Sequence, residues 1–72
     1  MLKISIGDTV EYRPEDGKTL LRAVVSDIQI TKNHNDFEGV WVGWCDLHTH
    51  DSVLFFFDDK QWCWEDQIHR VL

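Results

Sequence analysis

The residues best suited to chemistry in this chain are aromatic rings placed among carboxylates. Trp41, Phe56, Trp62 and Trp64 stand near Asp58, Asp59 and Asp66, in a stretch that ends Asp58-Asp59-Lys60-Gln61-Trp62-Cys63-Trp64-Glu65-Asp66. The face of an aromatic ring carries negative electrostatic potential, so a cation over an indole gains about 0.5–2 kcal/mol, and a nearby carboxylate adds to that. With Tyr12, these rings could supply the walls of a cage for a cationic side chain. If Gln61 to Glu65 is extended, Trp62 and Trp64 share a face. All four tryptophans fall between positions 41 and 64, and so short a chain cannot easily hide that much indole and phenyl area. The bland account is that the rings are simply the core.

Other constellations are weaker. His48-x-His50 lies beside Cys45, Asp46 and Asp51, with His34, Cys63 and His69 elsewhere. Zinc takes such ligands in tetrahedral sets, but no Cys-x-x-Cys spacing accompanies them, so neither a metal site nor another cofactor is expected. Cys45 or Cys63 with a histidine could form a nucleophile pair, yet no spacing supports one. Asp58-Asp59 and Glu65-Asp66 are sequence neighbours, which point apart on a strand, and this argues against paired acid–base work. No enzymatic activity is expected.

Charge narrows the partners. Seven basic and thirteen acidic residues give a net charge of −6. The basic residues are scattered, which argues against direct nucleic-acid binding through phosphates. An acidic surface favours a basic partner, or solubility alone. Carboxylates spaced along one face would instead mimic nucleic acid and block a DNA-binding protein, as small phage-type inhibitors do. The longest apolar run, Val53 to Phe57, is far below membrane-spanning length. The first residues are too short and polar for a signal peptide, so a cytoplasmic location with reduced, partly buried thiols is expected.

The elements that must position the aromatic residues read as all-β within a single domain spanning residues 1–72. Short β-branched and aromatic runs alternate with turn signals. Ile4 and Ile6 precede a Gly7-Asp8 turn, and Thr9 to Arg13 is a half-buried strand. Pro14-Glu15-Asp16-Gly17 is a tight turn. Leu20 to Ile30 is a strand long enough to bend, with Val24, Ser26, Ile28 and Ile30 on one face and Val25, Asp27 and Gln29 on the other. Gly39 to Asp46 places Val40, Val42 and Trp44 on one face and Trp41 and Cys45 on the other, with Gly43 marking a bulge or close approach. Ser52 to Asp58 is apolar on both faces, hence either central or sticky outside. Glu65 to Gln67 fits a 3₁₀ turn before a last strand, Ile68 to Leu72. About five or six short strands in so little chain imply a small barrel, since an open sheet would leave an apolar face wet.

Gly7-Asp8-x-Val10, Tyr12, Glu15-Asp16-Gly17 and Leu21-Arg22-Ala23-Val24-Val25 with Ile28 resemble the SH3-like small barrels, in particular the Tudor group. Val40-Trp41-Val42-Gly43-Trp44 fits a strand of such a barrel. The resemblance implies the barrel but no methyl-lysine site, because Cys45 to His50 replaces the Tudor-type turn. The Trp62 to Ile68 ending is more similar to that of bacterial and phage small-barrel proteins. The resulting expectation is a non-enzymatic protein-binding module. Its partner-binding residues would be Trp41, Phe56, Asp58, Asp59, Trp62, Trp64 and Asp66, docking a basic or aromatic-seeking segment of another protein. Homodimerisation through the face carrying Leu54 and Phe56 is a variant.

Overall fold

A computed structural model describes residues 3–15, 17–47 and 52–72. Asp16 and the His48-x-His50 segment lie outside the described residues. The chain order is β1 (Lys3–Ser5), β2 (Thr9–Tyr12), β3 (Leu21–Thr31), β4 (Val40–Val42), β5 (Trp44–Asp46), β6 (Ser52–Phe57), β7 (Trp62–Trp64), a 3₁₀ turn (Glu65–Gln67) and β8 (Ile68–Val71). The all-β class, the long third strand and the 3₁₀ turn before the last strand are as the sequence implies.

Two expectations are corrected. There are eight strands among the described residues rather than five or six, and the sheets are open rather than closed into a barrel. β1 pairs with β5 in a two-stranded sheet, while β7-β6-β3-β2-β8 form the larger one, with β4 also on β3. Closure would require β7 to pair with β8. β7 has only three residues, and the 3₁₀ turn then carries the chain across to β2, where β8 pairs. Gln67 spans the gap with its side chain. Trp64 N donates to Gln67 Oε1 at 2.9 Å, Gln67 Nε2 donates to the Arg13 carbonyl at 3.0 Å, and Arg13 N donates to the Gln67 carbonyl at 2.8 Å.

The strand faces explain the core. Val25 pairs with Phe57 but Asp27 pairs with Phe56, so Ser26 is an extra residue in β3. Its hydroxyl donates to the Phe56 carbonyl at 3.2 Å. Such a bulge reverses the in–out phase. Val25 therefore joins Ile28 in the core, and Val24, expected beside Ile28, is exposed. Gly43 does the same between β4 and β5: Val42 and Cys45 face the core, and Trp44 does not share Val42's face. The interior is one cluster in which Ile4, Val10, Ile28, Val53, Phe55 and Cys63 are sealed, with Tyr12 tilted against Phe57 at 4.6 Å.

β6 resolves as a central strand, flanked by β3 and β7. On its outer face Leu54 is covered while Phe56 stays half-buried. Leu54, in register between Gln29 and Trp64, is fully buried, and a homodimer contact through Leu54 is withdrawn.

The β6–β7 hairpin turns through Asp58 to Lys60. Lys60 N donates to the Phe57 carbonyl at 3.1 Å, Phe57 N donates to the Gln61 carbonyl at 2.9 Å, and Lys60 adopts φ 70. This turn-plus-bulge geometry suits glycine, because a Cβ at positive φ crowds the next carbonyl. Lys60→Gly should raise stability by about 0.5–1 kcal/mol, the relieved strain being partly offset by greater unfolded-chain freedom. A urea melt showing no gain would mean that the Lys60 stem makes compensating contacts.

Candidate functional site

The outer face of the β4-β3-β6-β7 sheet carries a run of rings. Cross-strand register puts Trp41 opposite Gln29, Gln29 opposite Leu54 and Leu54 opposite Trp64, with Phe56 opposite Trp62 one step along. Residues in register share a face. Trp41 lies 5.6 Å from Phe56, and Trp62 meets Trp64 edge-on at 6.1 Å. Sharing of one face by Trp62 and Trp64 is as the alternation implies.

The loop between β3 and β4 folds back over this face, bringing two residues that the sequence did not single out for it. Phe37 packs 5.4 Å from Trp62 and 5.6 Å from Trp64, and His34 stacks on Trp64 at 4.7 Å with an 18° interplanar angle. Gly39 permits the fold-back. A Cβ there would collide with the Ile30 carbonyl and crowd the Thr31 side chain. Asx turns shape the loop: Asn33 Oδ1 accepts from Asn35 N and Asp36 Oδ1 from Glu38 N, each at 2.8 Å. The signal available in sequence was an aromatic residue inside a polar, turn-rich stretch, placed two residues before a glycine.

His34 anchors the loop electrostatically. Its Nε2 donates to Glu65 Oε1 at 2.9 Å, its Nδ1 stands 3.9 Å from Asp66 Oδ2, and Glu65 Oε2 also accepts from Val53 N at 3.1 Å. The hydrogen bond to Glu65 raises the His34 pKa above its ordinary 6.5; partial desolvation opposes this, and the charges of Glu65 and Asp66 reinforce it. One ligand atom from each of these three residues lies within 4.8 Å of the others. The His34–Glu65 bond accounts for that geometry as a charge-assisted pair.

Exposure decides which rings can touch a partner. Trp41 is 60% exposed, Phe37 51% and Trp62 45%, whereas Phe56 and Trp64 are half-buried beneath them. Tyr12 is corrected as a cage wall, since its ring is in the core against Phe57. Burial raises its phenol pKa, and the nearby charges of Asp59 and Cys63 add to the rise. Asp58 and Asp59 are exposed at the hairpin tip, where Asp59 Oδ1 accepts from Gln61 N at 3.0 Å. Asp66 is exposed on the 3₁₀ turn, toward His34. Trp44 is 56% exposed, on β5 rather than in this ring run, and Lys3 Nζ sits 4.6 Å over its ring.

Two open grooves flank Trp64 and Gln67. One, of about 600 Å³, is lined by Tyr12, Pro14, Glu15, Asp59, Trp62 and others. The second, of about 520 Å³, mixes Arg13, His34 and His69 with Glu15 and Asp66. Away from both, Glu11 is buried on β2 between two arginines, each with its Nε 3.2 Å from a Glu11 oxygen: Arg22 on β3 and Arg70 on β8. Burial alone would raise its pKa, but the hydrogen bonds and charges of the two arginines outweigh that and lower it. Both thiols are free and buried in the core. No helix among the described residues is long and apolar enough to cross a membrane. Comparison with models of protein families, with curated proteins and with solved structures returns no match.

Proposed function

We propose that this chain is a protein-binding module whose outer sheet face docks a basic or aromatic-seeking segment of another protein. The observation that carries the reading is the exposure of Trp41, Phe37 and Trp62 in one ring run beside the Asp58-Asp59 turn. Large rigid rings left in water, adjacent to carboxylates, are what binding hot spots use: contact area at low entropic cost, with charge steering the approach. In this reading the fold is an open relative of the SH3-like small barrels, supported by its bent β3 and the 3₁₀ turn before β8.

The carboxylate placement favours docking over nucleic-acid mimicry. A mimic needs a free stripe of acids away from the rings. Here Glu11 is held by Arg22 and Arg70, and Glu65 by His34. Asp58 and Asp59 flank the aromatic strand instead.

Because Trp41 and Trp62 are exposed, replacing both with alanine should leave the fold intact. Trp64 is the poorer target, since it supports His34 and Phe37. The Trp41→Ala plus Trp62→Ala variant should keep the wild-type circular dichroism and lose partner affinity by about a thousandfold, at about 2 kcal/mol per hot-spot ring. Affinity capture from native lysate at two salt concentrations reads the outcome. Unchanged capture by the folded variant sinks the proposal, and steep loss with salt but not with the substitutions would favour the mimic.

A further inference from the structure

The gap that keeps the large sheet open is itself a place for a strand. Phe57 N bonds the Gln61 carbonyl, so Phe57–Gln61 and Phe55–Cys63 are hydrogen-bonded pairs, while Phe56–Trp62 and Leu54–Trp64 are the alternating non-bonded pairs. The amides and carbonyls of Trp62 and Trp64 therefore point away from β6, toward the free edge. Trp64 N confirms the direction by donating outward to Gln67 Oε1 at 2.9 Å. Trp62 also lines the groove of about 600 Å³ that has Pro14, Glu15 and Leu21 among its other lining residues.

That groove has a matching chemical character. Trp62 and Trp64 wall it, and Tyr12 is at its floor. Among the described residues its charged lining is Glu15 and Asp59, one from each bank, with no cationic side chain. The second groove, by contrast, already holds Arg13, His34 and His69.

We propose that an extended basic segment of a partner adds to the β7 edge as an extra strand in this groove. Its main chain bonds the Trp62 amide and carbonyl, and a Lys or Arg sits between Glu15 and Asp59. Strand addition gives affinity through the main chain, and alternate side chains give specificity. The edge offers few bonding groups, so the cation and the ring contacts must fix the register. This inference rests on the docking reading above and assigns its entry route and the partner's conformation.

The test uses the intact protein, isotopically labelled, and a short synthetic peptide alternating Arg with Thr. At low ionic strength, the peptide should shift the amide signals of Gln61 to Trp64 and slow solvent exchange of the Trp62 amide by about tenfold. An analogue N-methylated at alternate residues keeps its charges and should bind about tenfold more weakly, because it lacks the donors a strand needs. Glu15→Gln plus Asp59→Asn should weaken binding by about fivefold; asparagine retains the oxygen that accepts from Gln61 N. Equal binding of the methylated peptide overturns strand addition, as do shifts confined to Trp41 and Phe56. Both outcomes leave the docking surface standing. Absence of binding at millimolar peptide overturns this inference too, while the Trp41 and Trp62 capture result still judges the broader reading separately.

Discussion

Gly39→Ala should cost about 2 kcal/mol and lift the loop between β3 and β4 off the tryptophans. The added Cβ meets the Ile30 carbonyl, which belongs to the central strand and cannot swing aside as a side chain would. Overpacking against backbone typically costs about 1–3 kcal/mol, and the loop is the softer partner, so it should yield first. Phe37 would then leave Trp62 and Trp64, and His34 would leave Glu65. The readouts are specific. The His34 pKa should fall back toward 6.5, its ordinary value, because the Glu65 hydrogen bond chiefly holds it up. Since the folded-state value is the raised one, His34 docking contributes stability fully below 6.5 and loses it as pH rises through the raised value. That pH dependence should vanish in Gly39→Ala and in Glu65→Gln. Gly43→Ala is the control: an added Cβ there meets nothing within 4 Å, so its effect should stay within about 0.5 kcal/mol. A Gly39→Ala protein with wild-type stability and an unchanged His34 titration would show that the loop accommodates a side chain at this point.

The same loop marks the boundary of what the sequence makes legible. Period-two alternation within short segments reads well. It places Val10 and Tyr12 inward, makes β6 a two-sided apolar strand and gives Trp62 and Trp64 a common face. Turn chemistry reads well too, as at Pro14 to Gly17, where Gly17 takes φ 68. Phase across a long strand does not read, because the bulge at Ser26 carries neither glycine nor proline; a hydroxyl that can bond a neighbouring carbonyl is its only trace. Gly43 did flag the break between β4 and β5, but not that the break sends Trp44 outward. Sheet closure depends on which strands meet over long separations. Nothing local to Trp62-Cys63-Trp64 says that the next residues will cross to β2 and leave an edge. The site was therefore half legible: its ring types and its acidic turn were apparent, while the partnership of Phe37 and His34 with the tryptophans required the fold.

Stability should fall by about 2–3 kcal/mol between pH 8 and pH 10, with the two thiols as its main source. Burial raises Cys45 from 9.0 to about 11, helped by the charges of Asp46 and Glu65. Burial likewise raises Cys63 from 9.0 to about 12, helped by Asp66 and Glu65. Both folded-state values lie above the unfolded ones, so the stability is present below 9.0 and is lost as pH climbs toward 11 and 12. At pH 10 each unfolded thiol has ionised by about one logarithmic unit while the folded ones remain largely protonated, and the two contributions add. Tyr12, raised by burial, begins to act in the same direction near its ordinary value of 10.0. Urea melts across this range measure the slope, and Cys45→Ala plus Cys63→Ala should flatten it while lowering stability at every pH through the cavities left behind. Reactivity tests the same shifts by another route. At pH 8 the thiolate population should be about a hundredfold lower at Cys45, and about a thousandfold lower at Cys63, than in the unfolded chain. Labelling by a thiol reagent should then follow transient unfolding and accelerate with urea in step with the melt. Rapid native-state labelling with no urea dependence would mean that these sulfurs are not sealed among Ile4, Val53 and Phe55, and would remove the basis for the alkaline slope as well.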